Sequence, residues 1–217
     1  MRRVAFAFLL AAGLGACATP VTVAGDAGDL TLPRRPERIV SLSATHTEIL
    51  YALGRGDVVV AVDLTSDYPA EVDTKPRVDA FNFDVEEIAF FDPDLVISAF
   101  DFQGEIAALE RVGIPALLLG PATTLDGAYA QIETLGAVTG SSRAAEELVL
   151  GMKSRIGELV DRAQGSSLSV FHEVDSTLFS ANSSTFLGDI YRRLGLTNIA
   201  DGVPDEFGSG YPQVSEE

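Results

Sequence analysis

The stretch RIVSLSATHTE, residues 38–48, decides the fold class. Residues 38–42 form a short apolar run that predicts a buried strand. Thr45, followed three residues later by Glu48, has the spacing of a helix capping box, and apolar residues then recur at helical spacing as far as Gly54. A strand that passes directly into a helix is the repeating unit of parallel α/β sheets.

The same alternation continues along the chain to Gly140. Apolar runs at 58–62, 95–98 and 115–119 predict three further strands. A helix that begins at Asp84, a helix over 105–112 and another over 125–138 separate or follow them. Short connections between such elements indicate a parallel sheet covered by helices on both faces, so we expect one α/β lobe over residues 36–140.

A longer helix is predicted over residues 141–164, where apolar residues keep helical spacing without an internal proline. Beyond it, residues 165–217 contain an apolar run at 168–174 and a helical pattern at 185–194. We therefore predict an α/β fold of two parallel-sheet lobes joined by one long rigid helix. Because the second lobe is about half as long as the first, we expect it to be incomplete and the sequence to continue beyond Glu217.

The N-terminal residues have the pattern of an export signal. Two arginines precede an apolar segment over 4–14, and small residues then lead to Cys17, the only cysteine. This ending resembles the lipobox of bacterial lipoproteins, which implies a signal peptide over 1–17 and acylation of Cys17; the alternative is an ordinary secreted protein. Residues 18–35 are small and polar and predict a flexible tether. We expect an extracytoplasmic protein attached to the membrane through its lipid.

The composition argues against several functions. A formal net charge of −17 disfavours nucleic-acid binding, since it repels phosphate backbones. After Cys17 no thiol remains for a disulfide or a cysteine nucleophile, and two histidines are too few for a three-histidine metal site. Hydrolase motifs such as Gly-x-Ser-x-Gly and His-Glu-x-x-His are absent. We therefore predict no catalytic residues, no cofactor and no bound metal of the protein's own.

Four ordered motifs carry a family resemblance: residues 38–48, 66–69, 91–97 and 211–217. They resemble the substrate-binding proteins of ABC importers for cobalamin, ferric siderophores and haem. The resemblance implies a ligand held between two lobes, delivery to an ABC permease with its ATPase, and a monomeric receptor. It also implies that Glu86 and Glu217 dock onto the permease; the alternative is that both glutamates merely stabilise helix N-termini.

Ligands of open α/β sheets bind beyond the carboxyl ends of the strands, and aromatic loop residues there suit a large flat ligand. The candidate ligand-binding residues are His46, Tyr68, Phe81, Phe83, Phe100, Phe102, His172 and Tyr211. For each aromatic residue the alternative is packing beneath its own loop, and for His46 it is a role at the helix start. Arg77 is the only cation near a predicted cleft loop, which disfavours a strongly anionic siderophore and favours cobalamin or another neutral complex.

Two other functions remain open from the sequence. One is a receptor for a bare metal ion, which would need several histidine or carboxylate ligands. The other is an extracellular hydrolase, for which Ser43 and His46 are a weak pair with no identifiable orienting acid.

Overall fold

The computed structural model describes residues 19–163 and 168–214. It begins with an antiparallel hairpin of β1 (Val21–Gly25) and β2 (Gly28–Leu32). The prediction of a flexible tether over 18–35 is therefore wrong over the hairpin. Valine or leucine recurs at every second position on both strands, so one face can be buried, and Val23 and Leu32 lie in the core. Cys17 lies outside the described residues.

Five parallel strands form the central sheet. They are β3 (Ile39–Leu42), β4 (Val59–Asp63), β5 (Arg77–Val78), β6 (Leu95–Ser98) and β7 (Ala116–Leu118), in the spatial order β5-β4-β3-β6-β7. The helices of this region are α1 (Ala44–Ala52), α2 (Val85–Phe90), α3 (Glu105–Arg111) and α4 (Leu125–Thr139). The predicted α/β class with a parallel sheet is confirmed.

The core lies on both faces of the sheet, which is why its strands are continuously apolar. In β3, Ile39 packs in one apolar cluster with α1, α4 and the hairpin, whereas Val40 packs in the other with α2 and α3. In β6, Leu95 and Ile97 alternate with Val96 in the same way. The carboxyl ends of the strands are thus fixed at one edge between two layers of helices.

The start of α1 differs from its prediction. The helix begins at Ala44, with Ser43 as the N-cap residue, so Thr45 lies inside the first turn and the predicted Thr45–Glu48 capping box is wrong. Thr47 is buried instead, and its hydroxyl donates to Ser41 Oγ at 2.9 Å. Placing the helix start directly after β3 aims the first turn of α1 at the carboxyl edge of the sheet. The helix start at Asp84 is as predicted, since its carboxylate accepts from the Glu86 N–H at 3.0 Å.

After the first sheet, α5 (Ser142–Ala163) runs for 22 residues and packs on α4 through Ala145 and Val149. The chain beyond it forms α6 (Phe186–Arg193) and a two-stranded parallel pair, β8 (Ser169–Val170) and β9 (Thr197–Asn198). The strand predicted over 168–174 is thus only two residues long, because the chain continues as loop and isolated bridges beyond Val170. Within the described ranges, no helix combines the length and the apolar composition needed to cross a bilayer.

Candidate functional site

A cavity of about 570 Å³ lies at the carboxyl edge of the sheet. The loops after β3, β4, β6 and β7 form its floor and one wall, through residues such as Ser43, Thr65, Phe100 and Pro121. Helices α4, α5 and α6 complete it; their lining side chains include Gln131, Met152 and Phe186. This is the place where ligands of open α/β sheets bind.

Three of the predicted aromatic residues come together at this edge. The rings of Phe100 and Phe102 stack with centroids 5.1 Å apart and an interplanar angle of 12°. Phe81 joins them at 5.6 Å from Phe100 and 6.1 Å from Phe102. Phe81 and Phe100 line the cavity, while Phe81 and Phe102 are more than half exposed. The cluster therefore presents a broad aromatic surface to solvent and to the cavity.

His46 lies in the first turn of α1 and lines the cavity. It is 1% exposed, and its Nδ1 has no hydrogen-bond partner among the described residues. Burial lowers the pKa of the imidazole from 6.5 to about 4, against opposing contributions from the Gln131 side chain and the Asp26 carboxylate. At neutral pH His46 is therefore a neutral side chain with an unsatisfied polar atom beside the cavity, which suits a hydrogen bond to a bound molecule.

The charged groups near the cavity are already engaged by the protein. Asp63 is buried, and its carboxylate accepts from the Thr65 backbone N–H at 3.0 Å and from the hydroxyls of Thr65 and Ser66. The Arg77 guanidinium donates to the backbone carbonyl of Ser66 and pairs with Asp73 at 3.3 Å. Of the described residues that line the cavity, none is a lysine or an arginine. The lining is accordingly mostly apolar, with a few uncharged hydrogen-bonding groups and one carboxylate, that of Asp63, which Thr65 and Ser66 already engage.

The remaining predicted ligand-binding residues lie away from this cavity. Phe83 packs against the core beneath the sheet, and Tyr68 and Tyr211 are exposed outside the cavity lining. His172 pairs instead with Tyr191, whose hydroxyl lies 2.6 Å from His172 Nδ1. These four positions stay predictions. Among residues 19–163 and 168–214, no group of three or more His, Cys, Asp or Glu side chains is placed to hold a metal ion.

Sequence reasoning missed part of the lining. The loop Leu119–Ala122 follows β7 and lies at the same edge of the sheet as the predicted cleft loops. Because a strand was predicted over 115–119, the loop after it could also have been predicted to line the cavity. Gln131 donates from Nε2 to the Gly120 carbonyl at 2.5 Å and so supports this loop. Met152 and Phe186 had no such signal, because apolar residues at helical spacing are typical of core positions.

Comparison with known proteins identifies the class. The chain belongs to the periplasmic binding protein family, whose model matches residues 39–217. This agrees with the family indicated by the four motifs and places the chain among binding proteins rather than enzymes.

Two relatives and one solved structure illustrate the similarity. The ABC transporter substrate-binding lipoprotein YvrC of Bacillus subtilis is 33% identical over 210 residues, covering 91% of this chain and 65% of the relative. The cobalamin-binding protein of Halobacterium salinarum is 30% identical over 212 residues, covering 93% and 56%. The periplasmic vitamin B12 binding protein BtuF of Vibrio cholerae superposes with a TM-score of 0.70 at 27% identity, over 84% of this chain and 71% of that chain. The chain thus spans less than two thirds of the length of the two relatives.

Proposed function

We propose that the protein is the extracytoplasmic receptor of an ABC-type importer and that its ligand is a corrinoid of the cobalamin class. The observation that carries this proposal is the cavity itself, whose described lining combines Phe81 and Phe100 with polar groups such as Gln131 and includes no lysine or arginine. Aromatic rings offer a macrocycle a large contact area with few polar requirements.

Charge separates a corrinoid from the other ligands of this family. Haem carries two propionates and many ferric siderophores are anionic, so both would gain from arginine or lysine at the site. Arg77 does not line the cavity and is engaged with Ser66 and Asp73. The net charge of −17 adds long-range repulsion of anions. A cobalamin presents carboxamide groups around its ring, which the Gln131 amide and the neutral His46 can meet by hydrogen bonding.

Delivery to the importer rests on two further elements. Glu86 is exposed at the start of α2, where it is free to dock onto arginines of the permease. Its predicted counterpart, Glu217, and the acylated Cys17 lie outside the described residues. The lipoprotein named among the relatives supports membrane attachment through Cys17. The partners are then a permease and its ATPase, with the receptor acting as a monomer.

Ligand titration tests the proposal. The full mature chain, carrying Cys17→Ser so that it is released from the membrane, is titrated with cyanocobalamin, haemin, a ferric hydroxamate chelate and zinc chloride. Isothermal calorimetry should show saturable binding of cyanocobalamin with a Kd at or below about 1 μM, which is roughly 8 kcal/mol of binding free energy. Tighter binding of haemin or the chelate would overturn the corrinoid assignment. Binding of zinc alone would overturn the receptor class in favour of a bare metal ion.

A further inference from the structure

We infer that Asp26, at the tip of the β1–β2 hairpin, is a positioning residue for the cavity: it fixes the wall formed by Leu119–Ala122 in the conformation that receives the ligand. The binding part of this inference rests on the proposed function. The contact between Asp26 and this wall does not rest on it, because that contact is present in the ligand-free protein.

Two hydrogen bonds of opposite direction join the hairpin to the end of β7. The Asp26 backbone N–H donates to the Leu118 carbonyl at 2.8 Å. The Gly120 backbone N–H donates to Asp26 Oδ2 at 2.5 Å. One residue of the hairpin therefore holds both the last residue of the edge strand β7 and the glycine of the cavity wall, although it is 94 positions from Gly120 in the chain.

Helix α4 holds the opposite side of the wall formed by Leu119–Ala122. The Gly120 carbonyl accepts from Gln131 Nε2 at 2.5 Å, so this residue is fixed through both its N–H and its C=O. Gly120 and Gln131 line the cavity together with His46. The Asp26 carboxylate and the Gln131 side chain also raise the pKa of His46 against the larger effect of burial, so both groups lie within electrostatic range of the imidazole.

The glycines at this contact allow the close approach. A Cβ atom at Gly25 would lie 2.8 Å from Leu117 Cδ1 and 3.1 Å from the Leu118 carbonyl oxygen. A Cβ atom at Gly120 would lie 3.1 Å from Asp26 Oδ2. The wall has no helix or strand of its own between β7 and α4, so its shape depends on bonds from neighbouring elements. Asp26 supplies one of them from a segment that lies outside the sheet.

Amide exchange and ligand affinity, measured on the same variants, test the inference. Asp26→Ala removes the acceptor, whereas Asp26→Asn keeps an oxygen in place for the Gly120 N–H. Asp29→Ala, on the exposed side of β2, is the control with the same change of charge on the same hairpin. Hydrogen exchange of the Gly120 amide is followed by NMR, and cyanocobalamin affinity by calorimetry.

We expect Asp26→Ala to speed exchange at Gly120 and to weaken cyanocobalamin binding about three- to tenfold, the range of one hydrogen bond. Asp26→Asn and Asp29→Ala should resemble the wild type in both measurements. Unchanged exchange in Asp26→Ala would overturn the contact, and faster exchange with unchanged affinity would overturn the positioning role. A wild-type protein that does not bind cyanocobalamin would refute the proposed ligand, and the exchange data would still decide the contact.

Discussion

The carboxylate of Asp189 accepts a hydrogen bond from the backbone N–H of Leu125, 3.0 Å away. This bond joins α6 to the first turn of α4, so the part of the chain beyond α5 is attached to the first sheet by more than the long helix. Arg193 strengthens the attachment, since its Nε lies 2.8 Å from Asp189 Oδ2 and its Nη2 lies 2.7 Å from Asp126. Burial alone would raise the pKa of Asp189, but these hydrogen bonds outweigh it and hold the pKa below its ordinary value.

We predict that Asp189→Ala destabilises the protein by about 3 kcal/mol, because it leaves Arg193 and the Leu125 N–H without their buried partner. Asp126→Ala is the matched control: it removes the exposed partner of the same arginine and should cost less than about 1 kcal/mol. Urea unfolding followed by circular dichroism measures both. Equal losses of stability in the two variants would contradict a special role for Asp189.

His46 predicts a pH dependence of stability. Its pKa is lowered from 6.5 to about 4 in the folded protein, so the unfolded chain binds the proton more readily between these values. The free energy of unfolding should therefore fall as the pH is lowered from about 6.5 towards 4, by up to about 3 kcal/mol. Asp189 also loses its stabilising contribution as the pH falls, but in a lower window, since a lowered carboxylate pKa is felt only near and below the ordinary carboxylate pKa of about 4.

Unfolding titrations at pH 7.0, 6.0, 5.0 and 4.5, without ligand, measure this dependence. His46→Gln should flatten it. A wild-type slope that survives in His46→Gln would show that His46 does not cause the pH dependence.

The stacked phenylalanines predict a specific loss of ligand affinity. Phe100→Leu should weaken cyanocobalamin binding by about tenfold, because it removes a ring that both lines the cavity and stacks on Phe102. Phe90→Leu, which changes an exposed ring on α2 that does not line the cavity, should have no effect. Calorimetry gives both affinities. A similar loss in the two variants would mean that the measurement reports general damage rather than contact with the ring.

If Glu86 docks onto the permease, a change at Glu86 should impair ligand uptake without changing ligand affinity. Glu86→Lys should leave the affinity for cyanocobalamin unchanged and reduce its uptake by whole cells at least tenfold, because it places a cation opposite the arginines of the permease. Glu87→Lys is an adjacent control in the same helical turn with the same change of charge. If uptake falls equally in both variants, the loss reflects the helix N-terminus or the net charge and not a defined docking residue.

The sequence predicted those strands and helices that bury a long run or a regular repeat of apolar residues. Residues such as Ile39 and Val40 face opposite apolar layers, so the strands of the main sheet were visible as continuous runs. Phe100 and Phe102 were placed at this edge because they follow a predicted strand, whereas Phe81 was placed there as an aromatic residue of a predicted cleft loop. Strands β5 and β9 escaped prediction because two residues are too few to give a period, and β8 was predicted but is shorter than its apolar run.

The features that escaped prediction depend on contacts between distant parts of the chain. Nothing local marks Met152 and Phe186 as lining residues, or Tyr191 as the partner of His172. The hairpin was mistaken for a tether because the residues from 18 to 29 are mostly small and polar, and β1 lies within them. Its stability comes from packing Val23 and Leu32 on the first lobe, a contact that composition does not reveal.

The folded hairpin changes how far the receptor can travel from its anchor. Only three residues lie between Cys17 and the start of β1 at Val21, so the four Cα–Cα steps span at most about 14 Å. A flexible segment of 18 residues would have allowed up to about 65 Å. If Cys17 is acylated, the folded protein stays close to the bilayer surface and can tilt only a little relative to it. It then reaches its permease by two-dimensional diffusion along the membrane. Transfer of the ligand would then depend on collisions between the protein and the permease within the membrane plane. It would not depend on the protein moving away from the membrane on a long flexible segment.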